Sequence, residues 1–151
     1  MTVYDWVKFA HILLAIVAVG FNASYGIWLA RAAQAQEHEL HVLRGIKILD
    51  DRFANPAYGL LLVTGLWMVV ISPWEITTFW ILGGLILWAV VILLGVGLYT
   101  PTLRRQIHVL EAEGPGSEEF QWLSRRGTIL GIVLGIMVVM IVGLMVLKPS
   151  F

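Results

Sequence analysis

From Gly127 to Leu147, GTILGIVLGIMVVMIVGLMVL, not one residue can ionise. An α-helix crosses the hydrocarbon core of a bilayer in about 20 residues, and lipid offers no partner to an unpaired backbone group, so such a run is constrained to be a spanning helix. Three more runs share the pattern, giving helices at about 6–33, 55–72, 78–99 and 128–147. The chain is 59% hydrophobic and 13% charged, against about 25% charged for a soluble domain. The fold class expected is all-α: a polytopic membrane protein, one domain over 1–151, built as a four-transmembrane-helix bundle with short amphipathic cytoplasmic segments. Its first partner is the lipid bilayer. Zero net charge leaves no electrostatic footprint for nucleic acid. With no cysteine, disulfides, iron–sulfur clusters and thiolate-bound zinc are excluded. The first run is too long for a signal h-region and lacks a basic n-region, so it reads as uncleaved.

The connections follow from breakers and charge. Gln34–Phe53 repeats Leu40, Leu43, Ile46 and Leu49 at helical spacing among charged residues. It is expected to be an amphipathic continuation of the first helix or a short interfacial helix. Pro56 suits the first turn of the second crossing, and Thr100-Pro101 is expected to end the third. Thr102–Arg126 reads as a short amphipathic helix, a turn around Pro115 and a basic lead-in to the last crossing. In that crossing Gly127, Gly131 and Gly135 share a face, a small-residue pattern that predicts close helix packing.

Seven arginines and one lysine flank or lie in the first and third connections, while the middle one holds none. The positive-inside rule places both long connections in the cytoplasm and both termini outside. Alkaline phosphatase fused to Phe151 is therefore expected to be active. An inactive fusion, with a cytoplasmic reporter active at the same site, would reverse the orientation.

His11 is the only histidine within an apolar run, and an ionisable group at membrane depth is a functional-site hypothesis by default. At 100° per residue, Ala15, Ala18, Asn22 and Tyr25 fall within roughly 40° of it, whereas Leu13, Val17 and Phe21 lie opposite. The small and polar stripe should face other helices and the other side lipid. His11 should then sit about two turns below the outer surface, near the outer halves of the other helices, which carry Met68, Trp80, Gly83, Gly84, Met140 and Met145. Its bland reading is a single hydrogen bond to a neighbouring helix. Its functional reading is a ligand, since a neutral imidazole keeps one lone pair free. His38 and His41, three apart on a polar segment, read as solvated, and His108 lies at the opposite surface.

The opening WVKFAHILLAIVAVG, the DDRFANPAYGLLLVTGLWM stretch and the closing MVLKP resemble a bacterial family of four-helix membrane proteins, domain of unknown function 2269. That resemblance implies fold, topology and a bacterial inner-membrane location, and no activity. Trp6, Lys8 and His11, with Pro56, Gly65 and Trp67, are more distantly similar to HemJ-type protoporphyrinogen oxidases. In those proteins the corresponding histidine is thought to bind haem, which would implicate His11. The chain departs from them in having no lysine within helix three, where Gly83 stands, and no Leu-Pro-Arg after helix one. CopD-type copper proteins share a His-containing first helix and a four-helix core.

Two classes of function follow. In the first, His11 anchors a b-type haem or copper, with Met68, Met140 or Met145 as a soft second ligand and Asn22 and Tyr25 deeper on the same stripe. Methionine is also ordinary apolar filler. In the second, the protein is a non-enzymatic accessory or structural subunit, assembling as a homo-oligomer or with other membrane subunits. No Asp or Glu is expected within a crossing, and no catalytic constellation is present.

Overall fold

The computed structural model describes residues 1–34 and 36–149. Among them no strand occurs. The chain forms four long helical rods, each long and apolar enough to cross a membrane. The first is α1 (Val3–Ala32), opened by a capping box in which Thr2 and Asp5 satisfy each other's backbone amides. A 3-10 turn at Gln36–His38 leads into α2 (Glu39–Leu49), which continues through a π-turn at Asp50–Ala54 into α3 (Asn55–Val70). The third rod joins α4 (Phe79–Leu94) through a second π-turn, Gly95–Tyr99, to α5 (Thr100–Glu113). Gly114, at φ 82°, ends it, and Ser117 caps α6 (Glu118–Leu147) by accepting from the Phe120 amide.

Three expectations about boundaries are corrected here. The amphipathic segment after helix one belongs to helix two and is continuous with it. Helix three runs on past Pro101 to Glu113, and the last helix starts at Glu118, ten residues before Thr128. The reason is shared by both prolines. Pro56 and Pro101 each follow a five-residue π-turn. A proline ring clashes with the carbonyl four residues back in an α-helix, and a widened turn absorbs that clash without ending the rod. Prolines that look like helix boundaries in sequence therefore follow mid-rod bulges.

The bundle has two chemically different halves. Along the crossings the large side chains point outward, among them Ile16, Val63, Leu93 and Ile136. Such apolar exposure would be a liability in water and is the normal lipid-facing surface here. At the end away from the termini, α2, α5 and the start of α6 form a compact core with Leu43 and Leu123 almost wholly enclosed and Ile46, Leu103 and Phe120 around them. Arg44–Glu111 at 2.6 Å and Arg105–Glu119 at 2.5 Å pair across this end. These pairs are exposed and contribute little beyond orientation.

The fourth-helix glycines do not close the bundle as expected. Gly131 stands 4.0 Å from Tyr99, measured to where its Cβ would be, and Gly135 and Gly143 meet nothing within 4 Å. Close approach happens instead at Gly83 and Gly84 of α4, which receive Leu144 and Met145 of α6. The packing energy in lipid comes from such van der Waals fits.

Candidate functional site

α1 packs along α3, and the residues that let it do so are small. Gly65 leaves the space that the His11 ring fills. A Cβ there would stand 3.2 Å from His11 Cε1. Ala18 on the same stripe is fully buried. Beyond the ring the helices diverge around a cavity of about 580 Å³ in the termini half of the bundle, lined by His11, Met68, Trp80, Gly84, Trp88 and Met145 among others. Its wall is almost entirely apolar and aromatic, and the volume lies in the range of ordinary ligand sites.

Thr64 Oγ1 lies 2.8 Å from His11 Nδ1. The same hydroxyl reaches the Leu60 carbonyl at 2.7 Å, and the Leu61 carbonyl is a further acceptor for the ring. When the hydroxyl proton goes to Leu60, Thr64 accepts from Nδ1–H and Nε2 keeps the free lone pair. This is the arrangement that holds a metal-ligating imidazole in one orientation, with the far nitrogen donating to a fixed acceptor.

The mouth of the cavity carries a positive charge. Trp74 and Trp80 meet edge to face at 5.7 Å, and the Lys148 ammonium lies over both rings, 5.7 and 5.1 Å from their centroids. Lys148 ends α6 in the left-handed conformation, φ 45° and ψ 54°, which is costly for a residue with a Cβ. The two indole faces compensate through cation–π attraction.

Residues 5–149 match the family described as predicted integral membrane protein, DUF2269. The chain belongs to that family. No curated protein and no solved structure matches it. The DUF2269 chain is thus an integral, multi-pass membrane protein whose family description carries no activity.

Within this DUF2269 bundle the sequence-selected residues separate into three places. His11, Met68 and Met145 line one cavity. Met140 does not join them: it is 46% exposed, on the outward face of α6. Helix rotation decides this, because Met145 is five residues on and Met140 falls on the far side of the stripe that reaches α4. Asn22 and Tyr25 lie eleven and fourteen residues beyond His11, at least about 16 Å along the helix. They line a second cavity of about 500 Å³. Asn22 donates to the Ala18 carbonyl and to the Tyr58 hydroxyl, both at 2.9 Å, and Tyr58 borders the His11 cavity. Tyr25 is the one described side chain whose buried polar atom has no partner.

Two buried acidic residues are not among the candidates that the sequence offers. Asp50 is buried at the first π-turn and accepts from Thr100 Oγ1 at 3.1 Å and Asn55 Nδ2 at 3.2 Å. Glu39 is buried at the start of α2. Both lie in the Gln34–Phe53 stretch, expected to be an amphipathic helix outside the crossings. The available signal was the apolar spacing of Leu43, Ile46 and Leu49, which runs on into the second crossing without a break. Thr100→Val should destabilise the fold by about 1–3 kcal/mol, the cost of leaving a buried polar group short of a partner. Chemical denaturation of the purified protein would read this, and an unchanged midpoint would remove Thr100 from the account.

Proposed function

We propose that this DUF2269 protein binds a b-type haem in the His11 cavity, where the His11 imidazole would hold it. The observation that carries the reading is the His11–Thr64 pair: an imidazole seated against Gly65, held at Nδ1 by Thr64, beside a large apolar space. Three features fit the group. The cavity volume suits a planar macrocycle, its wall is apolar, and Lys148 supplies a cation at the mouth for acidic substituents. Met68 or Met145 would be the second ligand from the chain. The haem would supply one-electron redox chemistry there. The protein's share is to orient the imidazole, exclude water and set the ligand's electronics through Thr64.

Copper is the weaker form of the same idea. Among the described residues no group of three His, Asp, Glu or Cys could hold a metal ion, and a bare ion leaves a 580 Å³ space unfilled. Haem uses one imidazole and the volume together. Both termini outside the cytoplasm would put the site toward the outer leaflet.

The test is the absorption spectrum of the detergent-purified protein expressed with haem precursor supplied. A Soret band is expected. A colourless protein that also fails to take up added hemin rejects the proposal and leaves the accessory-subunit reading.

A further inference from the structure

The second cavity, about 500 Å³ between α1, α5 and α6, is independent of His11. Asn22, Ser124 and Thr128 line it, together with four larger buried polar side chains: Tyr25 and Gln106, each 4% exposed, and Glu39 and Tyr99, each 7% exposed. Among the described residues none of the four makes a side-chain hydrogen bond or ion pair. Buried polar side chains are almost always hydrogen-bonded, and each exception needs an explanation. The enclosed Tyr25 hydroxyl is such an exception, and with the unbonded Glu39, Tyr99 and Gln106 on the same wall it points to something that occupies the space.

Water alone fills the space poorly. At about 30 Å³ each, roughly 16 molecules would be needed, each seeking two to four polar partners. The rest of the wall is mostly Val, Leu, Ile, Ala and glycine. Gly127, Gly131 and Gly135 keep one side open. A Cβ on Gly135 would meet nothing. Both α1 and α6 therefore present small residues to a gap that they do not close. The occupant has an apolar body and a polar end.

The polar end is cationic by elimination. Among the described lining residues Glu39 is the only carboxylate, and no Lys, Arg or His joins it. A carboxyl and two phenols lining one space suit an ammonium through charge-assisted hydrogen bonds and cation–π attraction. A phospholipid headgroup is disfavoured, because nothing basic is present to meet its phosphate.

We infer that this cavity is a binding site for lipophilic amines, with Glu39 receiving the ammonium and Tyr25, Tyr99 and Gln106 completing its hydrogen bonds.

The test uses the full chain in phosphatidylcholine nanodiscs, with empty discs as blank, and equilibrium dialysis of adamantan-1-amine against the isosteric adamantan-1-ol. The amine should bind saturably and at least about tenfold tighter than the alcohol. Glu39→Gln should erase that preference. Gly135→Leu, which adds a side chain into open space, should block both probes while the helix content stays unchanged. His11→Ala should bind the amine normally, so failure of the haem reading and failure of this one are separable. Adding phosphatidylethanolamine to the discs should not compete. No saturable binding to the wild type, equal binding of amine and alcohol, amine preference retained in Glu39→Gln, or loss of binding to phosphatidylethanolamine would each overturn the site.

Discussion

Replacing His11 by alanine is expected to abolish haem binding outright, with the Soret band of the purified protein lost while its helical circular dichroism is kept. One imidazole lines the cavity, and the methionines that share its wall are weaker ligands on their own. His38→Ala and His41→Ala, at the opposite end of the bundle, should leave the spectrum unchanged. Thr64→Val tests the orientation directly. It removes the acceptor for Nδ1–H, and loss of such an outer partner typically costs about 10–100-fold in affinity. Gly65→Val should be nearly as damaging as His11→Ala, because its Cβ would stand 3.2 Å from the imidazole. Gly59→Val, where no atom lies within 4 Å, is the matched control. If Gly65→Val and Gly59→Val retain haem equally, the seat of the ring is not where the structure puts it.

The second large effect concerns stability. Leu123→Ala should destabilise the protein by about 3 kcal/mol, in the middle of the range for enclosed leucines. Leu123 is 1% exposed, inside the core that α2, α5 and α6 form beyond the crossings. There the hydrophobic effect operates as in a soluble domain. Ile129→Ala, only six residues on, should cost far less, since Ile129 points outward and its reference environment in the folded state is lipid. Reversible denaturation of both variants in the same detergent measures the contrast. Equal losses at the two positions would mean that the core at this end does not carry the bundle's stability.

These contrasts follow from how the bundle is built. Lipid removes the hydrophobic drive between helices, so the spanning region is held by local fits such as Met145 against Gly84 and by single polar pairs such as Asn22–Tyr58. Cavities survive in it because nothing forces closure. The end beyond the crossings closes fully because water does force it.

The residue pattern determined the parts that depend on composition and period. Four apolar runs required four helices. The rotation of His11, Ala15, Ala18, Asn22 and Tyr25 on one stripe assigned the inward face of α1, which the burial of Ala18 and Tyr25 confirms. Family membership was legible in the same stretches. Tertiary structure decided what depends on neighbours. Pro56 reads as a helix start and Pro101 as a helix end, and only packing of α2 and α5 against each other shows why the chain bulges there and continues. Met140 and Met145 are indistinguishable in sequence, and helix rotation against α4 selects Met145. Gly131 and Gly135 carry a packing signature, yet they border a cavity, because whether two small faces meet depends on where the third helix holds them apart. Asp50 and Glu39 look like residues of a separate amphipathic segment until the second rod is seen to run through them. Periodicity records which way a side chain points, and contact with another helix is a property of two elements that no single stretch encodes.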